Sequence, residues 1–464
     1  MSEQAIRASV ANAAARREAY LEGFKELLRI PSVSTDPAYR DEVQRAADWL
    51  VGEMARIGLD NCRAIPSQGH PVVYGEWLKA GPDRPTVLVY AHYDVQPVDP
   101  LDLWESPPFE PTIRDGRLYA RGAIDDKCGV FVNLKAVESI LSTSGALPVN
   151  VKFFFEGEEE SGSPSMEPFV KTHKELLAAD LLVISDGGSY EDQPLVFSSL
   201  RGLVAGEVTV RGPQRDLHSG SFGGIVHNPA HRVGEIVAAL HDDQGRVQIP
   251  GFYDDVRPLS EAELAYLKST EPLFRKELER QSGVRAFWGV PEYSLLERQT
   301  AQPTCDVNGL YGGYQGPGTK TVIPAQAGLK VSMRLVADQD PHDIGAKFEE
   351  FVRGFACDTL EIEVSTRGES WPARLLFDEP PVQAIHRAFE ATWGKRALIY
   401  RQGGTVPVVG MFKQELGMPI TNLGFGVGDN GHSPNEYYTL AHFPLAIDTA
   451  IHFYHYLADV AFPW

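Results

Sequence analysis

Through its first 198 residues the chain alternates two periodicities, and this alternation limits the fold more than any other feature. "PTVLVYAH", "VNVKFFFE" and "DLLVISDGG" are short continuous apolar runs, as expected of strands buried on both faces. Around them, "DEVQRAADWLVGEMARIG", "GVFVNLKAVESIL" and "SMEPFVKTHKELL" space their apolar residues as helices do. Strand and helix in turn predict an α/β layer, with a largely parallel central sheet flanked by helices. In such sheets ligands gather where strands end.

Near residue 200 the pattern changes. "RGLVAGEVTVRG" alternates as a strand with one exposed face, and "NPAHRVGEIVAALHD" opens a helix with Asn228 as cap and Pro229 in its first turn. A polar stretch with helical pieces fills 242–300, and "AGLKVSMRLVA", "DPHDIGAKFEEFVRGFA" and "TLEIEVSTR" then supply strand, helix and strand. Two strand-helix-strand halves predict an inserted α+β, ferredoxin-like domain over 199–377. The segments "PVQAIHRAFEATWG", "GTVPVVGMFKQELG", "MPITNLGFG" and "FPLAIDTAIHFYHYLADV" resume the first rhythm, so 1–198 and 378–464 are expected to form one domain. A chain of 464 residues is also longer than one core usually serves.

Charge narrows the partners. Lys and Arg number 43 against 63 Asp and Glu, a formal charge of −20, which disfavours nucleic acid and other polyanions and leaves small molecules or cations. Cys62, Cys128, Cys305 and Cys357 are spread singly, with neither a zinc-ribbon pair nor a disulfide framework. The stretch "MSEQAIRASVANAAARREAYLEGFKELLRI" carries charges throughout, unlike a signal peptide, and reads as a surface helix. No membrane span is expected, and a cytoplasmic location is.

The polar residues fall where the strands stop. "VLVYAHYD" ends with His92 and Asp94, two apart and able to share a side. "ARGAIDDKCG" offers Asp125 and Asp126 directly before a helix. "FFFEGEEESGS" crowds Glu156, Glu158, Glu159 and Glu160 just past a strand, "LLVISDGG" puts Asp186 past another, and "LGFGVGDNGHSPNE" puts Asp429 and His432 past a fourth. Each has an ordinary reading alone: a hydrogen-bonded histidine, a helix N-terminal acid pair, a turn aspartate, a solvated acidic loop. Together they suggest a metal site assembled from distant segments, since clustered carboxylates repel and need a cation nearby. Other motifs fail. There is no phosphate-binding Gly-x-x-x-x-Gly-Lys-Ser/Thr loop and no His-Glu-x-x-His. "GVGDNG" is not followed by a helix, "GHSPN" lacks the last glycine of a nucleophile elbow, and "HNPAH" reads as helix capping.

Taken in order, "AHYDVQPVDPLDLWESPPFEP", "LYARGAIDDKCG", "EGEEESGS", "ISDGG", "RDLHSGSFGG" and "GDNGHSPNE" resemble the dinuclear metallopeptidase family of aminoacylases, carboxypeptidases and dipeptidases. The nearest branch is that of cytosolic nonspecific dipeptidases and carnosinases. The resemblance implies two divalent ions, zinc or manganese, with His92 and Asp186 on one, Glu160 and His432 on the other, and Asp125 shared. It implies that Glu159 moves the proton of the attacking water, while Asp94 orients His92. Glu156 and Glu158 have no family role and are expected to be structural or solvated. In related dimers the inserted domain serves as a lid and dimerisation element, and a histidine matching His218 crosses the interface to the oxyanion. Asn308, Thr321, Arg334, Gly404 and Thr405 match residues that hold substrate.

The chain departs from the family in two places. Gln402-Gly403-Gly404-Thr405 stands where Glu-Gly-Gly-Ser is usual, and Cys128 stands where a glycine is, which raises the expectation of an oxidation-sensitive thiol. The implied activity is hydrolysis of dipeptides or short peptides by a homodimer. The alternatives are an amidohydrolase for N-acyl amino acids or succinylated diamines, and, outside enzymes, a silent peptide- or metal-binding protein. Retention of Glu159 beside all five presumed ligands favours an enzyme.

Overall fold

The computed structural model describes residues 3–190 and 193–462. Its chain divides into two compact units, Met1–Ser198 with Leu375–Tyr400 and Met411–Trp464, and Ser199–Arg374 with Arg401–Gly410. A six-stranded sheet organises the first. Its order is Asp60–Ile65, Val72–Trp77, Asn150–Glu156, Thr86–His92, Leu181–Ile184, Ile420–Asn422. The first two pairings are antiparallel and the other three parallel. Parallel pairing brings the carboxyl ends of three central strands to one edge, with His92 in register opposite Glu156 and Asp186 two residues past Ile184.

The helix Lys127–Ser144 begins at that same edge. Every residue from Lys127 to Ile140 is buried, which explains why its sequence is apolar on more than one side. Phe131 packs on Phe24 at 5.3 Å between ring centroids, and Phe24 stacks on Phe443 at 5.6 Å. The expected N-terminal surface helix is two helices, Glu3–Ala15 and Arg17–Leu28, and the second is a core element. Its Phe24, Leu27 and Leu28 are fully buried because they recur at i, i+3 and i+4 and face the Lys127–Ser144 helix.

The second unit carries an antiparallel sheet in the order Thr304–Gly312, Gln326–Leu335, Gly202–Arg211, Glu361–Ser370. Helices Pro229–Ala239 and Pro341–Arg353 pack on it through Val204, Val208, Ile236, Ile344 and Phe348. Strand-helix-strand twice over, with the two central strands first and third in the chain, is the ferredoxin-like arrangement. The polar stretch holds a long helix, Glu261–Ser282, started by a capping box between Ser260 and Glu263.

The boundaries differ from the sequence reading, which gave 199–377 to the inserted domain and all of 378–464 to the first: residues 375–377 fall in the first unit. Residues 401–410 belong with the second unit. The cause is side-chain bonding that periodicity does not report. Arg401 donates to Ser199 Oγ at 3.2 Å, Arg201 Nε to the Gly403 carbonyl at 2.7 Å, and Arg334 to Thr405 Oγ1 at 2.7 Å.

Candidate metal centre

At the carboxyl edge of the first unit's sheet, His92 Nε2 stands 3.1 Å from Asp125 Oδ1. The other oxygen, Oδ2, lies 2.9 Å from His432 Nε2, which is itself 3.2 Å from Glu160 Oε2. One carboxylate thus sits between two imidazoles. Asp186 joins through a group in which ligand atoms of His92, Asp126 and Asp186 all lie within 4.8 Å of one another, as do those of His92, Asp125 and Glu160. All five presumed ligands belong to this unit, four on or just past strand or helix ends. His432 comes from a loop in which Asn430, His432 and Asn435 take positive φ, a turn-rich path that carries the ring back to Asp125.

Electrostatics marks the same place. Burial pushes Glu159 up to about 9, with Asp186, Glu160 and Asp94 adding repulsion against the pull of His92. Burial likewise raises Asp186 to about 6, helped by Asp125 and Glu160, and raises buried Asp126. For His92, burial works against the charged ring, but the bonds to Asp125 and Asp94 outweigh it and hold it well above the usual imidazole range. His432 is raised to about 10 by Asp125 and Glu160, while Asp125, despite burial, is held low by the two histidines. Lys127, the next cation along the chain, turns away and donates to the carbonyls of Leu27 and Ile30 at 3.1 and 2.6 Å.

This donor set fits divalent metal. It offers two imidazoles and several carboxylates, the mixture that zinc and manganese sites use. Glu160 Oε1 and Asp126 Oδ1 are buried with no hydrogen-bond partner among the described residues, and a buried acceptor of that kind calls for a cation or a donor.

Asp94 does more than orient His92. The backbone carbonyl of Asp94 is the nearer partner of His92 Nδ1, at 3.1 Å against 3.4 Å for the carboxylate. The carboxylate instead accepts from the amides of Glu159 at 3.2 Å and Glu160 at 3.0 Å, so it fixes the turn that presents both glutamates. The other two acids of the run are buried and structural, not solvated. Glu156 accepts from Tyr90 Oη at 2.7 Å, and Glu158 from the amides of Ser165 and His70 at 2.6 and 3.0 Å. Cys128 is fully buried, donates to the Ile124 carbonyl at 3.3 Å, and has its thiol pushed well up by burial. Those are the surroundings of an inert thiol, against the expectation of oxidation sensitivity.

Sequence reasoning missed Gln96, whose Nε2 donates to Glu160 Oε2 at 2.7 Å, and the buried Glu436. "DVQPVD" contained the first and "HSPNE" the second, but nothing in residue type or spacing told them from loop residues.

The remaining candidates lie in the second unit. Arg334 and Thr405 bond to each other, and Arg201 accompanies them, its amide donating to the Gly404 carbonyl at 3.0 Å. His218 pairs with Val322 in a short ladder beside Thr321, whose carbonyl accepts from the Ser219 amide at 3.1 Å. The His218 Nδ1 accepts from the Gly220 amide at 2.9 Å, which leaves Nε2 as the donor nitrogen of the neutral ring. Asn308 is exposed beside an irregularity in the register of its strand.

A sheet edge that gathers two histidines and several carboxylates from distant segments has the make-up of a metal centre. The model of peptidase family M20/M25/M40 matches residues 88–456, and the chain belongs to that family. It is 31% identical over 443 residues to human Beta-Ala-His dipeptidase, covering 90% of this chain and 86% of that one. A Cys-Gly metallodipeptidase of Candida albicans is 31% identical over 442 residues, covering 90% of each. Among solved structures, the M20 family metallo-carboxypeptidase Sso-CP2 from Sulfolobus solfataricus superposes with a TM-score of 0.80 at 31% identity, covering 95% of this chain and 99% of that one. Human carnosine dipeptidase 1 gives 0.73 at 28%, covering 98% and 99%. The chain is a metal-dependent peptidase.

Proposed function

We propose that this peptidase cleaves dipeptides, with a water as nucleophile and Glu159 as the group that moves its proton. The observation that carries the reading is the cluster of carboxylates and imidazoles around Asp125, with Glu159 next to Glu160 on the turn that enters it. His92 and Asp186 would hold one divalent ion and Glu160 and His432 a second, with Asp125 shared. Zinc and manganese both suit these donors. When bound, such ions acidify water and polarise a carbonyl.

The chain's own residues supply the rest. Glu159 sits where positive charge would bring its raised pKa down toward neutrality, the range in which a carboxylate accepts a proton from water and returns it to the leaving amine. Asp94 fixes the turn that carries Glu159 and Glu160 by accepting from both their amides. In the second unit, Arg334 is suited to the free carboxylate of a dipeptide, with Asn308, Thr321, Gly404 and Thr405 as further substrate contacts. His218 would stabilise the oxyanion from a second copy of the chain, which makes the working form a homodimer. We place it in the cytoplasm, in keeping with its unpaired cysteines. No described helix is long and apolar enough to cross a membrane.

A panel of unblocked dipeptides, an N-acetyl amino acid and an N-succinyl amino acid, assayed after metal removal and restoration with zinc or manganese, tests this. Cleavage of free dipeptides alone is expected. Preference for acylated amino acids would move the substrate class to amidohydrolysis, and no turnover by metal-loaded protein would leave a binding protein.

A further inference from the structure

Glu436 lies outside every role considered so far, yet it is the most heavily bonded carboxylate near the centre. It is completely buried. Its Oε2 accepts from Arg121 Nη1 at 2.7 Å and from the Gly122 amide at 2.9 Å, and its Oε1 accepts from the amides of Ile124 at 2.8 Å and Asp125 at 3.3 Å. Three of the four donors are backbone amides of one short segment, and that segment ends at Asp125. The Glu436 carbonyl also accepts from the Ala120 amide at 3.1 Å.

Arg121 is fastened in turn. Its Nη2 donates to the Pro97 carbonyl at 3.0 Å, and its guanidinium lies 5.5 Å from the Trp104 ring centroid. Glu436 stands four residues after His432, so a single carboxylate ties the His432 loop to the Asp125 segment. A buried ion pair is weak evidence for stability, because desolvating both charges offsets much of their attraction. The use of both oxygens on the amides of Gly122, Ile124 and Asp125, in one ligand-bearing segment, points to orientation instead.

We propose that Glu436, backed by Arg121, is a positioning residue that sets the backbone from Gly122 to Asp125, so that the Asp125 carboxylate faces His92 and His432 together. This rests on the metal-site reading given above. Glu436→Gln keeps the size but replaces one acceptor oxygen with an NH2 that faces backbone N–H groups. Glu436→Asp keeps the charge but is too short to serve both ends of the segment.

The test measures zinc affinity by chelator competition, and the visible absorption of the cobalt-loaded protein, for wild type, Asp125→Asn, Glu436→Gln and Glu436→Asp, with folding checked by circular dichroism. Expected are loss of the shared site in Asp125→Asn, and a fall in zinc affinity of about 10–100-fold in the Glu436 variants, with an altered cobalt spectrum and wild-type circular dichroism. Wild-type affinity and cobalt spectrum in a folded Glu436 variant, with Asp125→Asn defective, would overturn the positioning role alone. Wild-type zinc binding by Asp125→Asn would overturn the metal-site reading itself. Failure of both Glu436 variants to fold would make the residue a stability element and overturn the proposal.

Discussion

The two units spend their polar residues differently. In the first, charged groups are taken out of water and left in tension: Asp126 and Glu160 each keep a buried oxygen without a described partner, and Glu159 is pushed up to about 9 by burial and its neighbours. In the second, Arg211 and Glu363 pair in solvent, 46% and 53% exposed, where water screens them, and the buried pair of Arg401 with Glu263 sets one charge against its opposite. Carboxylates and imidazoles clustered out of water therefore mark the candidate site, and a solvated ion pair gives no such signal.

The comparison breaks first under metal removal. Chelation should abolish turnover, with recovery on adding zinc or manganese, and leave the circular dichroism of both units largely intact. Activity that survives exhaustive chelation would contradict the role given to the first unit. Next in size, Arg334→Lys should raise the KM for free dipeptides by about 10–100-fold through loss of paired hydrogen bonds to the carboxylate. A change in kcat alone would remove Arg334 from substrate binding.

Acid stability should also track the first unit. His386 and His455, on helices Pro380–Trp393 and His442–Leu457, are buried with neither ring nitrogen bonded to a described partner, and burial lowers both to about 4. The unfolded chain takes up these protons near 6.5 while the folded chain waits until about 4, so their contribution is intact above pH 7 and is lost as pH falls through that window. Each should cost about 1–2 kcal/mol at pH 5, and His386→Leu should flatten the decline of Tm between pH 7 and pH 5. The smallest effect belongs to the second unit: Arg211→Ala should leave Tm unchanged within error, because its partner Glu363 is solvated already.

Legibility followed the same division. Strands buried on both faces announced themselves as apolar runs, and His92 and Asp186 were readable because strand ends are visible in sequence. His432 was readable as a residue past a strand end, but its return to Asp125 was not, since a loop with three positive-φ residues leaves no periodic trace. Gln96 and Glu436 act through partners 64 and about 310 positions away in the chain, a relation that no local pattern encodes. Residues 401–410 were assigned to the wrong unit for a similar reason, because their bonds to Ser199, Arg201 and Arg334 are tertiary. Asp94 was expected beside His92 and is there, but its bonds to the Glu159 and Glu160 amides depend on a turn whose shape the glutamate run does not specify.

The proposed role of Glu159 is to move a proton while holding no metal. Measuring metal content and single-turnover hydrolysis of one free dipeptide by Glu159→Gln tests it most directly. A full complement of metal is expected, with the chemical step slowed by about 10²–10⁴-fold. Near-wild-type turnover, or loss of metal together with activity, would contradict it.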